Sequence, residues 1–376
     1  MKIGIDARFF GPIGKGLGRY TQKLIENLEK VDNTNQYFVF LKKDNFDEYQ
    51  PKNKNFQKVL ADFRWYTFSE QMKFPKLIKK YELDLMHFPH FNVPVMYNRK
   101  FIVTIHDLIL VHFPTTKSST LAPIFYWLKF LAYKFVINSA INRAQKIIAV
   151  SHFTKNDILK TYPKIKQEKI IVTYESAEDF CLLTPHNKYA EILARYGIIK
   201  PYIVYVGNAY PHKNLEKLIF SFKEIRKAEK DLNLILVGKE DYFYRRLKDF
   251  TLKNNIEGVI FTDYVPDHEL DTIFRNSSAF IWPTLYEGFG LPPLEAMSKG
   301  VPVISSNQEC MKEILADSAY YFDGKNSADM AGSVIKVLND IEIREKLVKK
   351  GYERVAYYSW KKMAQKTLEL YQDGTK

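Results

Sequence analysis

The chain has 376 residues, enough for two domains that each bury a core of their own. Its net charge is +13, divided as +12 over residues 1–190 and +1 over residues 191–376, which points to an anionic partner at the first half. The basic residues are scattered, with no nucleic-acid motif or aromatic–basic repeat, and this argues against a nucleic-acid-binding protein. Two cysteines, Cys181 and Cys310, make neither a disulfide framework nor a metal-ligand spacing, so a reducing compartment is expected. The start, Met1-Lys-Ile-Gly-Ile-Asp6, reads as a strand rather than a leader, and no uncharged run reaches membrane-spanning length.

Residues 2–6 are followed by a loop bearing Gly11, Gly14, Gly16 and Gly18, then Arg19 and a helix to about residue 29. The glycine spacing is not the dinucleotide-binding G-x-G-x-x-G. Further strands are expected over 37–41, 83–87, 101–105, 147–150 and 170–173, with amphipathic stretches over 68–81 and 154–161 between them. This alternation predicts an α/β unit with a mainly parallel sheet. Two strand exits carry polar residues: His87-Phe-Pro-His90-Phe-Asn92-Val-Pro94, and Thr104-Ile-His106-Asp107. The carboxyl ends of parallel strands line ligand crevices, so function is expected there. The run 121–137, rich in aromatics and carrying Lys129 and Lys134, reads either as a core helix or as a helix lying in a membrane interface.

A polar connection over 177–200 precedes a second set of strands at 202–206, 233–238, 258–262, 279–282, 301–304 and 320–323. The first ends in Gly207-Asn208 and, after His212, Lys213 stands just ahead of a helix, where an ammonium can neutralise a diphosphate. The strand at 279–282 leads into Thr284-Leu-Tyr-Glu287-Gly288-Phe289-Gly290-Leu291-Pro-Pro-Leu-Glu295. Gly288 and Gly290 let backbone approach a ligand, the prolines suit a first helical turn, and the helix start offers free N–H groups to phosphate. Glu287 and Glu295 bracket that anion site. A carboxylate is repelled by pyrophosphate, so each is expected to bind something neutral, such as sugar hydroxyls.

The run EGFGLPPLEAMSKGVPVISS resembles the signature of retaining glycosyltransferases of family 4. The resemblance implies the GT-B fold: α/β, with two facing Rossmann-like domains, mainly parallel sheets and a C-terminal crossover helix. It places an acceptor-side domain over 1–185, a nucleotide-sugar domain over 186–355 and the returning helix over 356–376. It implies that Glu287 contacts the donor sugar, Glu295 the ribose, and the amides of Gly288, Phe289, Gly290 and Leu291 the phosphates. The T-I-H-D element makes His106 a second catalytic group that reaches the sugar. The V-G…K-N element makes Lys213 the pyrophosphate ligand; where many relatives carry Arg after that Gly, this chain has Asn208, so Arg19 or His212 is left to supply a second cation. Gly16 and Gly18 join the donor site, backbone near Tyr264 and Val265 holds the base, and His90 and Asn92 lie on the acceptor side.

H-F-P-H-F-N-V-P looks most like bacterial mannosyltransferases of surface-polysaccharide pathways, which makes GDP-mannose the first donor and UDP-hexoses the second. The acceptor implied is a saccharide or a polyprenyl-diphosphate-linked oligosaccharide, met by a cytoplasmic enzyme peripheral at the inner face of the membrane. No metal and no cofactor are expected. The alternative is a nucleotide-sugar isomerase or epimerase on a similar two-domain scaffold.

Overall fold

Segments such as Phe101-Ile-Val-Thr-Ile105 and Tyr202-Ile-Val-Tyr-Val206 have side chains fit to be buried on both faces, and such strands belong inside parallel sheets covered by helices. The computed structural model describes residues 1–11, 15–114, 123–177 and 188–375 and builds two such sheets. Cys181, residues 12–14 of the glycine loop, residues 121–122 and the expected boundary at 185 lie outside the described residues. Contacts gather the chain into one unit of Met1–Glu175 with Ser359–Lys376, and another of Ser176–Tyr358.

In the first unit the strands are β1 (Lys2–Asp6), β2 (Gln36–Leu41), β3 (Phe56–Leu60), β4 (Leu85–Phe88), β5 (Phe101–Ile105), β6 (Lys146–Ala149) and β7 (Ile170–Val172). They are parallel throughout, in the order β3-β2-β1-β4-β5-β6-β7. In the second they are β8 (Tyr202–Val206), β9 (Asn233–Val237), β10 (Val259–Asp263), β11 (Ala279–Trp282), β12 (Val303–Ser306) and β13 (Ala319–Phe322). These too are all parallel, ordered β10-β9-β8-β11-β12-β13. Each sheet therefore reverses its direction of growth beside its first strand. The crevice at such a point, β1/β4 in one unit and β8/β11 in the other, is where an open parallel sheet holds a ligand.

Several expectations need correction. The helix Lys15–Val31 starts earlier than the glycine loop implied, so Gly16, Gly18 and Arg19 are helical. Gly18 is required by close approach: a Cβ there would stand 2.0 Å from the Gly11 carbonyl oxygen and 2.5 Å from that of Phe9. β3 was not expected; it is an edge strand whose buried Phe56 stacks on Tyr37 with ring centroids 4.2 Å apart. Among its described side chains the helix Pro123–Arg143 buries Ile137, Ala140 and Ile141 in the core and packs Tyr133 against it, whereas Trp127, Leu128, Leu131 and Phe135 are 46–63% exposed. No helix among the described residues is long and apolar enough to cross a membrane.

The return to the first unit begins at Ser359 rather than 356. The helix Ile341–Tyr357 packs on Leu291–Ser298, and the Tyr358 hydroxyl donates to the Ile314 carbonyl at 2.8 Å, which keeps both in the second unit. The last helix, Trp360–Thr375, packs on Lys15–Val31 and is tied down by a buried polar row. Tyr371 OH lies 2.7 Å from His87 Nδ1, His87 Nε2 lies 2.9 Å from Thr104 Oγ1, and Tyr20 OH lies 3.2 Å from the same oxygen. Burial, then the charge of His106, presses His87 down to about 3, so it stays neutral with one nitrogen donating and one accepting. Tyr371→Phe leaves a buried imidazole nitrogen without its partner, and is expected to destabilise the first unit by about 1–3 kcal/mol in urea unfolding. An unchanged midpoint would mean that the row contributes nothing.

Candidate active site

In the second unit the exits of β8 and β11 are stitched together by short polar links. Asn214 sits in the left-handed region at φ 64°, which Asn tolerates better than most residues. Its amide donates to the Pro283 carbonyl at 3.1 Å and to that of Gly324 at 2.8 Å, and Leu285 N–H donates to the His212 carbonyl at 2.7 Å. This fixes the turn Pro211–Lys213 against the loop after β11. The Lys213 ammonium is paired with the Glu287 carboxylate, both buried, and lies 4.7 Å from the centre of the Trp282 ring. Thr284 Oγ1 donates to the same carboxylate at 3.1 Å.

From Glu287 the chain passes through Gly288 and Phe289 to Gly290, at φ 89°, a backbone that favours glycine and points the loop into the helix Leu291–Ser298. Glu295 lies in the second turn of that helix and is buried. The structure thus brings Lys213 from the β8 exit to Glu287, Gly288–Leu291 and Glu295, which follow the β11 exit. Asn208 is local to the β8 exit, where its Oδ1 accepts from Tyr210 N–H at 3.3 Å. After β10, Tyr264 is 64% exposed while Val265 is buried, so Val265 offers a ligand backbone rather than side chain. His212 stands beside Lys213, where burial and then the Lys213 charge press it down to about 3, so its ring is neutral. Arg19 is half-buried in the helix Lys15–Val31 of the first unit.

In the first unit His106 leaves β5 with both ring nitrogens engaged, Nδ1 3.0 Å from Glu175 Oε1 and Nε2 2.9 Å from the Pro89 carbonyl oxygen. Both partners only accept, so both nitrogens carry protons. Burial pulls the imidazole down, but the Glu175 carboxylate and the Pro89 carbonyl outweigh it and hold His106 above its ordinary value of 6.5. The linkage sign follows: this pair stabilises fully below the unfolded value and is lost as pH rises through the raised one. The melting-temperature gap between the parent chain and His106→Gln is therefore expected to be widest in mild acid and to close at alkaline pH. A gap that widens with pH would remove the charged imidazole.

His90 is held below its ordinary value by burial and by the charges of His106 and Arg8, so it is neutral. Its Nδ1 accepts from Asn92 N–H at 3.4 Å. Asn92 is buried, and its amide donates to Glu70 Oε1 at 2.9 Å. That carboxylate belongs to a cluster which sequence reasoning missed. Arg8, fully buried just past β1, pairs with Asp6 at 2.7 Å and with Glu70 at 2.7 Å. An arginine two residues beyond a strand-end aspartate, at the first strand exit, was the available signal. Thr284 and Asn214, equally overlooked, stand inside or beside segments that were singled out. Among the described residues no three His, Cys, Asp or Glu side chains gather as a metal site would need.

Two family models cover most of the chain: Glycosyltransferase Family 4 matches residues 14–175, and Glycosyl transferases group 1 matches residues 194–354. O-antigen chain mannosyltransferase B of Escherichia coli is 25% identical over 375 residues, 95% of either chain. O-antigen chain mannosyltransferase RfbU of Salmonella typhimurium is 27% identical over 306 residues, 80% of this chain and 77% of that one. Among solved structures, Anabaena Alr3699/HepE in complex with UDP-glucose is similar with a TM-score of 0.75 at 15% identity, over 99% of this chain and 100% of that one, a likeness of fold.

Proposed function

We propose, for a chain that belongs to the glycosyltransferases joining a family 4 domain to a group 1 domain, that it moves a hexose with retention from a nucleotide-sugar to a saccharide or polyprenyl-diphosphate-linked acceptor. The observation that carries this is the buried Lys213–Glu287 pair at the β8/β11 crevice, followed by the Gly288–Leu291 loop and Glu295. Negative charge grows on the diphosphate as the sugar–phosphate bond lengthens; Lys213 and the loop amides stabilise it without a metal or cofactor. Glu287 holds the sugar and Glu295 the ribose. The departing phosphate takes the acceptor's proton. GDP-mannose is the first donor in this reading, supported by the two mannosyltransferase relatives, and UDP-hexoses are second.

Incubation with GDP-mannose and with UDP-glucose, each with and without lipid-linked saccharide, tests the reading. Transfer with the anomeric configuration kept is expected. Free or epimerised sugar formed equally without acceptor would favour an isomerase instead.

The first unit is proposed to rest on the anionic inner face of the membrane through the helix Pro123–Arg143. Support comes from its exposed Trp127, Leu128, Leu131 and Phe135, from Lys129 and Lys134 beside them, and from the +12 charge of residues 1–190. A lysine near such a surface contributes ~1 kcal/mol, and salt screens it. Lys129→Glu with Lys134→Glu is expected to abolish most flotation with anionic vesicles. Unchanged flotation of that variant, or equal binding to neutral vesicles at high salt, would overturn this.

A further inference from the structure

At the amino ends of β4 and β5 the first unit borders a cavity of about 170 Å3, away from the strand exits that lead to His90 and His106. One wall is a face of the helix Phe68–Lys79, which leads toward β4. Met72, Pro75, Lys76 and Lys79 fall there at the three- and four-residue spacing that sets side chains next to one another. The other wall is Met96-Tyr97-Asn98-Arg99, the run that enters β5. Val95 fastens the two walls together. Its N–H donates to Gln71 Oε1 at 2.7 Å, and its carbonyl accepts from Arg143 Nη1 at 2.6 Å.

No carboxylate lines this cavity, and Lys76, Lys79 and Arg99 have no carboxylate partner among the described residues. Exposed cations alone are a solvated basic face, but Tyr97 is not part of such a face. It is 3% exposed, and its ring centre lies 5.5 Å from that of Phe88 and 6.1 Å from that of Phe101. Its hydroxyl is buried without a hydrogen-bond partner among the described residues, whereas a buried tyrosine hydroxyl ordinarily finds one. Burial pushes that hydroxyl up to about 12 against the pull of the Arg99 charge, so it keeps its proton and is a donor. The reach of the Arg99 charge also sets the hydroxyl toward the cationic side of the cavity.

Size and charge then select the ligand. Sites that take up a whole small molecule run to about 300–1,000 Å3, so this one holds a single group of a larger ligand. Three cations around one group call for more than one negative charge. A carboxylate brings one, whereas a phosphomonoester brings about 1.5–2 at neutral pH, on three acceptor oxygens. We propose that Lys76, Lys79, Arg99 and the Tyr97 hydroxyl bind a phosphomonoester group, at a site separate from the strand exits. The transferase reading is not needed for this. A soluble phosphate ester and the headgroup of phosphatidic acid present the same group.

The test is calorimetric titration of the full chain with glycerol 3-phosphate and, as its carboxylate counterpart, glycerate. Glycerol 3-phosphate is expected to bind saturably, and glycerate at least about tenfold more weakly. Tyr97→Phe keeps the ring and removes a buried donor that has no partner. Its melting temperature is therefore expected to hold or rise while phosphate affinity falls about tenfold or more. Lys79→Gln with Arg99→Gln is expected to lose at least as much affinity without a fall in melting temperature. Flotation with vesicles carrying phosphatidic acid or, at matched charge, phosphatidylglycerol assigns the source. A preference for phosphatidic acid that Tyr97→Phe abolishes identifies the lipid headgroup; equal flotation beside saturable glycerol 3-phosphate binding identifies a soluble ester. Four results overturn the proposal: neither glycerol 3-phosphate binding nor a preference for phosphatidic acid, glycerate bound as tightly as the phosphate, affinity unaltered in both variants, or displacement of glycerol 3-phosphate by GDP or UDP, which would put it in the nucleotide site. Failure of GDP and UDP to bind at all would instead count against the transferase reading and leave this site standing.

Discussion

Lys213→Met is expected to weaken nucleoside diphosphate binding by about 10- to 150-fold, the range of a lost hydrogen bond to a charged group, and to leave nucleoside binding nearly unchanged. The ammonium is fixed between the Trp282 ring and the Glu287 carboxylate at the mouth of the β8/β11 crevice. A diphosphate seated on the Gly288–Leu291 amides offers it a partner of higher charge than Glu287. The same substitution strands a buried carboxylate, and removing one member of such a pair costs about 3–5 kcal/mol of stability. Lys213→Met combined with Glu287→Gln is therefore expected to recover most of the loss in urea unfolding, since no lone charge remains. If nucleoside and nucleoside diphosphate weaken alike, Lys213 is a structural partner of Glu287 and nothing more.

Glu287→Gln and Glu295→Ala are expected to separate turnover from binding. Glu287 is on the loop before the glycines and Glu295 is one turn into the following helix; in the proposed reading the first meets the sugar and the second the ribose. Glu287→Gln should lower kcat by about 10²–10³-fold, because contacts that strengthen as the sugar moves toward the transition state are those that accelerate it. It also loosens Lys213, so nucleoside diphosphate affinity should hold or rise. Glu295→Ala should instead cost about 1.5–3 kcal/mol of nucleotide affinity. Calorimetric titration with free nucleotide, beside steady-state rates, measures both; equal losses of affinity in the two variants would undo the assignment.

Much of the architecture was legible because short β-prone runs alternate with amphipathic stretches. Twelve of the strands announce themselves this way, and the glycine–proline sequence after Trp282 marks the turn into a helix. β3 did not announce itself. Phe-Gln-Lys-Val-Leu is an edge segment with polar residues, and it is defined by pairing to β2 rather than by its own pattern. The glycines near residue 16 misled about where the helix starts, since Gly18 lies inside it and serves close backbone packing. Pairings between distant segments were beyond reach: nothing local to Arg8 names Glu70, and nothing local to His87 names Tyr371, which lies 284 positions away. The run 121–137 was ambiguous for a related reason. Composition shows that a helix is apolar, whereas only neighbours decide which of its faces they cover.

The last helix carries a consequence for how the protein is made. The second unit, Ser176–Tyr358, is one uninterrupted stretch and has all its strands once Tyr358 has left the ribosome. The first unit is not: Tyr371, the partner of His87, is translated only after the whole of the second unit. The first sheet therefore keeps one flank of its core open to water until the helix Trp360–Thr375 has emerged. Units tend to fold in the order they emerge, but here the unit that begins first is completed last. A ribosome stalled before the last helix would release a well-formed second unit beside a sticky, unfinished partner, so a chaperone that covers apolar surface has its substrate in residues 1–175 of the nascent chain.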